Sequence, residues 1–587
     1  DRSTIPLAAR RYLPWMLILF VGSGCAALIY EVVWLQLLQL VIGSTGISLG
    51  VLLGIFMGGM CLGSLLLPRL IPSHHHPLRV YAFLELGIGI FAIGILYSLP
   101  LLSDIYEGFV GHGAGHRAVI AAVCLLPPTV LMGATLPAIA RWVKAIPEGV
   151  SWMGFFYAGN IAGAVLGCLL AGFYLLRVHD MPTATYVAVG IDAAVTVVAL
   201  ALASGAPFSA EHAGPTETSI KEAPGRFGVY VVIGLSGLCA MGAEVLWTRL
   251  LSLILGGTVY TFSIILAIFL LGLGIGSSAG AYLTRKIRNA MAALGICQIL
   301  VAAATALGAF MITGSIPYWP IDLYKITKEL SPWHIFMLDL LRSGCAVLPA
   351  AVLWGGSFPL ALAAVADRDQ DSGLMVGRVY AANTIGAIVG SLAFSMLVIP
   401  QVGTNWGQRL IIILAAVSAL TAFAPFFKLR KTERKKSGKA AIALAVSKWK
   451  LASAILSLAA VILLAILVSP LTWVAVAFGR FSYAWMPDIV PGLVQEKDVP
   501  IVSRPSEIRY CLYVGEGMNV SVAVTKSTDG WLFFHGAGKV QASSNPKDMR
   551  LQRMLGHLSV LARRNPDDVK DVLVVACGAG VTAGSFI

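Results

Sequence analysis

The sequence predicts an α-helical polytopic membrane protein made of two parallel six-helix repeats, one extra span and a small C-terminal α/β domain. Of its 587 residues, 58% are hydrophobic and only 12% are charged, unlike the composition of soluble globular proteins. Apolar runs of about 20 residues, the length that crosses a bilayer, recur along most of the chain. One long stretch also occurs twice, which indicates a duplicated unit.

The repeated stretch runs from Ser23 to Ser64 and returns from Ser236 to Ser277, 213 positions later. Each copy carries a carboxylate midway along an apolar segment, Glu31 in the first and Glu244 in the second. A charge there is costly in hydrocarbon, so both side chains should face protein or a water-filled cavity. Further pairs at the same offset are Gly24 and Gly237, Trp34 and Trp247, Gly43 and Gly256, Thr45 and Thr258, and Gly59 and Gly272.

Two later motifs extend the duplication. Residues 131–137 correspond to 353–359, and the Gly-x-x-Tyr-x-x-Asn-x-x-Gly-x-x-x-Gly pattern of 154–167 returns at 377–390. Six spans per unit place both units in the same orientation, which is the plan of the major facilitator superfamily, with a substrate site expected between the halves. The predicted spans are 14–41, 47–69, 79–100, 118–143, 152–176 and 183–204, then 228–255, 260–283, 288–314, 338–365, 375–400 and 407–427.

Lys and Arg concentrate on one side of the predicted spans, which predicts a bacterial inner-membrane protein with its N-terminus in the cytoplasm. A basic run after the twelfth span and a thirteenth apolar segment, Leu451 to Val476, then place the tail in the periplasm.

The chain divides into five predicted parts. They are 1–205 (first six-helix repeat), 206–227 (polar linker), 228–427 (second repeat), 428–478 (basic run and thirteenth span) and 479–587 (soluble domain).

Composition and spacing disfavour several other classes of protein. The net charge of +13 lies in loops and one basic run, which is typical of a topology signal facing anionic lipid rather than of nucleic-acid binding. The nine cysteines contain no C-x-x-C pair, so neither a zinc site nor a disulfide framework is indicated. The consecutive histidines 74–76 lie between prolines in a loop and do not form a metal site. The sequence identifies no cofactor.

Three polar pairs inside the spans are candidates for a substrate or proton site. Glu31 and Glu244 could hold a cation or carry a proton, or could lock the two repeats together structurally. The second pair is Glu85 and Gln298, which correspond in the two repeats, so that one repeat has a charged group where the other has a neutral amide. Asn160 and Asn383 form the third pair, for which a hydrogen bond between helices is the competing interpretation.

The tail has a different pattern. Residues 509–514, 520–524 and 531–534 predict strands, with a hairpin turn at Asp529-Gly530, and 547–564 has helical spacing. Residues 571–575 predict a buried strand that runs into a glycine turn, as at the start of a Rossmann-type sheet. The doubly wound sheet needs more strands than follow, so the domain is expected to be incomplete. The candidate residues of this nucleotide-like loop are Gly578, Gly580, Thr582 and Gly584.

The tail resembles the spermidine synthase family. The resemblance rests on the order of Val540-Gln541, a helix carrying Met554 and His557, the strand at 572–575 and the glycine turn. Together with the duplicated apolar part, the whole chain resembles multi-pass fused major-facilitator and spermidine-synthase-like proteins. The resemblance implies a polyamine-related ligand and adds Gln541 to the candidate binding residues.

The chain departs from that family at the positions that carry the chemistry. The family's Tyr-His-Glu triplet corresponds to 551–553, which reads Leu-Gln-Arg, and the Asp of its glycine loop corresponds to Ala579. No general base for deprotonating an amine is visible, so whether the chain is an enzyme stays open and no catalytic residue is assigned. Three functions remain: a transporter-like or ligand-binding protein for small cations, a non-catalytic scaffold of a membrane complex, or a membrane-tethered aminopropyl- or methyl-type transferase.

Overall fold

The first half of the chain forms six long helices in the computed structural model. Residues described by this structure are 11–42, 45–72, 75–109, 114–144, 149–205, 226–287, 289–319, 332–365, 372–433, 456, 459–460, 463–480, 482, 501–502, 508–517, 520–562, 570–574 and 580–586. A π-helical turn, Ala171–Leu175, extends the fifth helix. The helices are α1 (Leu13–Ile42), α2 (Thr45–Leu70), α3 (Pro77–Phe109), α4 (Ala114–Lys144), α5 (Gly149–Leu170) and α6 (Met181–Gly205).

The second half forms the corresponding set. Its third and fifth helices also end in π-helical turns, at Met311–Ser315 and Phe394–Val398. The chain reverses at Gly403, whose φ of 83° breaks the twelfth helix near its start. The helices are α7 (Arg226–Leu255), α8 (Val259–Thr284), α9 (Ala290–Phe310), α10 (Pro332–Val365), α11 (Ser372–Ala393) and α12 (Ile399–Glu433).

The predicted spans agree with these helices. Among the described residues, 11 helical stretches are long and apolar enough to cross a membrane, and one of them, Gly377–Ala424, contains both the eleventh and twelfth predicted spans. The prediction was least accurate at α3, which continues to Phe109, and at α12, which begins at Ile399 and ends at Glu433. The chain is therefore a multi-pass protein of the lipid bilayer.

The same helix pairs pack in both halves, through glycines at equivalent positions. A Cβ on Gly24 would lie 2.1 Å from the backbone oxygen of Asn160, and one on Gly237 would lie 2.2 Å from that of Asn383. The α1–α5 and α7–α11 pairs therefore touch backbone to backbone, as small residues allow in membrane helices. The packing of α2 against α4 and of α8 against α10 follows the same rule.

The two halves meet along α2 with α11 and α5 with α8. At one end of these crossings Gly172 lies against Ser263, and Gly50 lies against Ser395. These are the ends of the helices next to the C-terminal domain, and we call this side of the bundle the domain face. The opposite face is the one at which α1 begins.

The C-terminal domain contains a five-stranded antiparallel sheet whose strands lie side by side in chain order. A short helix, α13 (Trp473–Phe478), packs on the sheet together with Leu253 of α7. His535, fully buried, joins the two layers through its ring nitrogens, 2.8 Å from the Thr525 hydroxyl and 2.9 Å from the carbonyl of Ala477. The remaining elements are β1 (Ile501–Val502), β2 (Ile508–Glu516), β3 (Ser521–Ser527), β4 (Leu532–Gly536), β5 (Lys539–Ser543), α14 (Pro546–Leu561) and α15 (Val581–Gly584).

One prediction about the tail was wrong, and another is only partly covered by the described residues. In the thirteenth apolar segment, predicted over Leu451 to Val476, residues 468–472, which include Pro470, are not helical. Residues 570–574 are not a strand, and Leu573 is 88% exposed. An apolar strand needs neighbours for its backbone hydrogen bonds and burial, and none lies beside it among the described residues. The described sheet has no parallel pair.

Two described contacts after α11 lie at opposite faces of the bundle. Phe423, near the end of α12, packs at Gly295 close to the opposite face. Farther along the chain, the carbonyl of Val468 accepts a hydrogen bond of 2.9 Å from Arg409 at the domain face.

The glycine contacts predict a steric test of the helix packing. Gly163→Ala or Gly386→Ala would place a Cβ 2.0 Å or 1.8 Å from a backbone oxygen of the partner helix. Overpacking of this kind costs about 1–3 kcal/mol, so the purified protein should unfold several degrees lower in a thermal melt followed by tryptophan fluorescence. Gly94→Ala is the control, because no atom lies within 4 Å of its Cβ position. Equal melting temperatures for all three variants would contradict this packing.

Candidate functional site

Glu31 and Glu244 lie at equivalent points in the middle of α1 and α7. They are only 5% and 4% exposed, and they are close enough for their charges to interact. The helix pairs that hold them are fixed by the glycine contacts of each half. Both predicted carboxylates therefore lie in the interior of the bundle.

Neither carboxylate accepts a hydrogen bond from another described residue. Both act electrostatically on the Cys168 thiol of α5, which donates to the backbone oxygen of Ser263 at 3.3 Å. The Ser263 hydroxyl is fully buried and has no hydrogen-bond partner among the described side chains and backbone groups. Buried polar groups are normally paired, so unpaired carboxylates and a hydroxyl around Cys168 leave polar groups available to a ligand or to water.

Glu85 belongs to a separate polar cluster inside the first half. Its carboxylate accepts a hydrogen bond of 2.6 Å from the Ser23 hydroxyl. The neighbouring Asp192 of α6 accepts one of 2.7 Å from Tyr30, and Glu85 also interacts with Tyr81 and Asp192. These five groups join α1, α3 and α6. Two carboxylates side by side cannot both carry a full charge cheaply.

Asp192 was missed by the sequence analysis. It is 2% exposed and it is the acidic partner of Glu85, although the two lie on different helices far apart in sequence. The available signal was a single acidic residue within an apolar segment, the same signal that identified Glu31. Repeat matching could not reveal it, since no acidic residue occurs in 407–427 of the second half.

Gln298 occupies the position of Glu85 in the second half, but in a neutral cluster. Its amide nitrogen lies 3.0 Å from the Ser357 hydroxyl and 3.5 Å from the Ser236 hydroxyl, and its oxygen has no partner among the described residues. Ser236 is the repeat equivalent of Ser23. The same architecture is therefore charged in one half and neutral in the other.

Asn160 and Asn383 lie where the paired helices touch. Their backbone and side-chain oxygens face Gly24 and Gly237, respectively. Both side chains are half-buried, and they are not part of the groups around Glu31 and Glu244 that the structure describes. This placement favours the packing interpretation of the pair.

The predicted loop residues of the tail are only partly brought together. Gly580, with a φ of 79°, begins α15, and the Thr582 hydroxyl donates to the backbone oxygen of Gln552 on α14. Gln541 lies on β5 and donates to the carbonyl of Gly536, so its amide closes a hairpin. Gly584 ends α15, and Gly578 lies outside the described residues.

The described residues contain no group of three His, Cys, Asp or Glu side chains that could hold a metal ion. They do contain two buried acidic clusters, one with Glu31 and Glu244 and one with Glu85 and Asp192.

The chain is similar to curated polyamine aminopropyltransferases over part of its length. It is 27% identical over 233 residues to Polyamine aminopropyltransferase 2 of Streptomyces coelicolor, which is 39% of this chain and 39% of that protein. It is 24% identical over 210 residues to Polyamine aminopropyltransferase 1 of the same organism, covering 36% of each. The chain thus matches less than half the length of these relatives. Both matches are longer than the 109 residues of 479–587, so they include part of the membrane region.

Solved transporter structures share a loose likeness with the helical bundle. The nucleoside transporter NupG covers 70% of this chain with a TM-score of 0.48 and 13% identity. A bacterial homolog of the human lysosomal transporter Spinster covers 72% with a TM-score of 0.43 and 12% identity. These structures align with 98% and 97% of their own lengths. No family model matches the chain.

The buried tyrosine of the Glu85 cluster predicts a stability effect. Tyr30→Phe leaves Asp192 without its 2.7 Å donor, and an unsatisfied buried acceptor costs about 1–3 kcal/mol. Tyr97→Phe is the matched control, because its hydroxyl pairs with Tyr186 on an exposed surface. Thermal melts of the purified variants should show a clear loss of stability for Tyr30→Phe and a shift within about 0.5 kcal/mol for Tyr97→Phe. Equal effects would show that the Asp192 carboxylate does not depend on Tyr30.

Proposed function

We propose that the protein binds a small organic cation of the polyamine class between its two halves, as a transporter or ligand-binding protein of a bacterial inner membrane. The observation that carries this proposal is the central carboxylate pair. Glu31 and Glu244 are almost fully buried and lack hydrogen-bond donors among the described residues. A buried carboxylate without a partner is costly, and an ammonium group would supply both the charge and the donors that the pair lacks.

The pairing of the carboxylates favours a ligand with more than one amine. Each half contributes one acidic group at an equivalent depth, and the two groups repel each other when both are ionised. A polyamine carries several ammonium groups along a flexible apolar chain, so it can place one near each carboxylate. A monovalent cation would offset only one of the two charges.

The partial similarity to polyamine aminopropyltransferases supports the same ligand class. The match includes part of the membrane region, so it is not a property of the tail alone. The tail itself lacks the acidic and aromatic triplet that the resemblance requires at 551–553. We therefore assign polyamine recognition to the membrane region rather than to the tail.

The Glu85 cluster is the proposed proton store. The Glu85 carboxylate accepts a hydrogen bond from Ser23, and the Asp192 carboxylate accepts one from Tyr30. Tyr30 is adjacent in sequence to Glu31. Release of a proton from this cluster would place additional negative charge close to the cation site. In a transporter this arrangement couples a proton to the movement of a cation.

Spermidine binding to the purified full-length chain tests the proposal. Glu31→Gln and Glu244→Gln should each weaken the binding of radiolabelled spermidine by about tenfold or more, which corresponds to about 1.4 kcal/mol. Binding should also weaken when the pH is lowered enough to protonate the two carboxylates.

Asp180→Asn is the matched control for the loss of one negative charge. Asp180 lies outside the spans, and hydrogen bonds from the hydroxyl and N–H of Thr183 lower its pKa, so it is ionised at neutral pH. Asparagine can still cap α6. Unchanged affinity in both Glu variants would contradict the proposal. A protein that binds no spermidine but co-purifies with other membrane subunits would support the scaffold alternative.

A further inference from the structure

The C-terminal domain is attached to the second half of the bundle. Glu516 of β2 accepts hydrogen bonds of 2.6 Å and 2.7 Å from the N–H and hydroxyl of Thr404, which follows the kink near the start of α12. Arg249 of α7 donates to the backbone oxygen of Gly517. Arg409 of α12 also donates to the carbonyl of Val468, just before the domain. These contacts all reach helices of the second half.

One of these contacts is an ion pair with α10. Arg480, two residues after α13, binds the carboxylate of Asp339, which is 3% exposed. We call this pair the latch. Arg342 lies one turn farther along α10, is 1% exposed and donates to the backbone oxygen of Trp319. The latch therefore joins the domain to a buried, charged section of α10.

The same helix carries the contact that closes the domain face between the two halves. Phe173, on the π-helical turn of α5, meets Phe336 edge-on with ring centroids 4.7 Å apart. Tyr260 and Trp333 complete the cluster, with centroids 5.6 Å and 6.1 Å from that of Phe173. We call these four residues the aromatic gate. Phe173 belongs to the first half, whereas the other three belong to the second half.

The gate and the latch meet on α10 at neighbouring residues. Phe336 lies three residues before Asp339, so the two side chains are neighbours about one turn apart on the helix surface, whereas Trp333 and Asp339 are about 120° apart around the helix. A shift of α10 at Asp339 would therefore act first on Phe336, the ring that meets Phe173 edge-on. The latch is thus placed to hold Phe336 against Phe173.

The distribution of core packing agrees with a closed domain face. Near that face and in the middle of the bundle, both halves share one continuous apolar core. Near the opposite face each half has its own core, around Trp142 and Phe156 in the first half and around Leu294 and Val379 in the second. The halves are therefore joined more firmly where the aromatic gate lies.

We propose that the C-terminal domain controls access to the central carboxylates, by holding the aromatic gate closed through the Arg480–Asp339 latch. This inference rests on the proposed function for the role of those carboxylates, but gate closure itself does not depend on the ligand. A partner or ligand that displaces the domain would free α10 and open the path from the domain face. The degenerate tail would then act as a regulatory lid rather than as an enzyme.

Cys168 is a natural reporter of the gate. Its thiol is fully buried, five residues before Phe173 on the same helix. In full-length protein whose other cysteines are replaced, a soluble maleimide should label Cys168 slowly. Arg480→Gln and Asp339→Asn should each speed labelling about tenfold, the effect expected from losing one hydrogen bond between charged groups. Phe173→Ala, which removes the first half's ring, should speed it as well.

Arg409→Gln is the matched control. Arg409 also joins the segment before the domain to the bundle, through the carbonyl of Val468, but it lies on α12 and not on the gate helix. It should leave the labelling rate unchanged. Fast labelling only in Phe173→Ala would show a gate that the domain does not control and would overturn the proposal. Equal rates in all variants, with native melting curves, would overturn it too. Spermidine affinity measured in the same samples reports separately on the proposed function.

Discussion

The close approach of paired helices through glycine is the constraint on which the rest of this structure depends. In hydrocarbon the helices gain nothing from hiding apolar side chains from water, so they associate through tight backbone packing and polar contacts. Gly163 and Gly386 sit against the backbones of α1 and α7, where a Cβ would lie 2.0 Å and 1.8 Å from an oxygen. Because the same contacts form twice, each half places its central helix at the same depth and angle, and Glu31 and Glu244 follow from that placement.

Duplication of the scaffold has left the two halves chemically different. The first half contains Glu85 and Asp192 in a hydrogen-bonded cluster, whereas the second has Gln298 in a neutral one. The C-terminal domain adds a second asymmetry, since its described contacts fasten to α7, α10 and the start of α12. A bundle with one acidic half and one half attached to the C-terminal domain is structurally asymmetric. Both transport and gated binding require such an asymmetry.

The helices and the central carboxylates could be predicted from the sequence because they repeat at a constant offset and follow the length of a bilayer. Asp192 could not, since it has no acidic counterpart in the second half and its partner Glu85 lies on another helix. The packing of Trp473–Phe478, at the end of the thirteenth apolar segment, also escaped prediction, because a hydropathy pattern does not distinguish lipid from a sheet and this helix is buried against the sheet. Residues 571–575 have the composition of a buried strand, but Leu573 is 88% exposed, and composition alone cannot supply a neighbouring strand. The aromatic gate brings together residues from two halves and gave no local signal.

The location of bound spermidine is the most direct test of this account. A structure of the purified full-length protein determined with spermidine should show the ligand between Glu31 and Glu244, with an amine near each carboxylate. Its density should disappear in the Glu31→Gln, Glu244→Gln double variant. Spermidine bound instead to the C-terminal domain, with affinity unchanged in the double variant, would contradict the central claim and return the function to the tail.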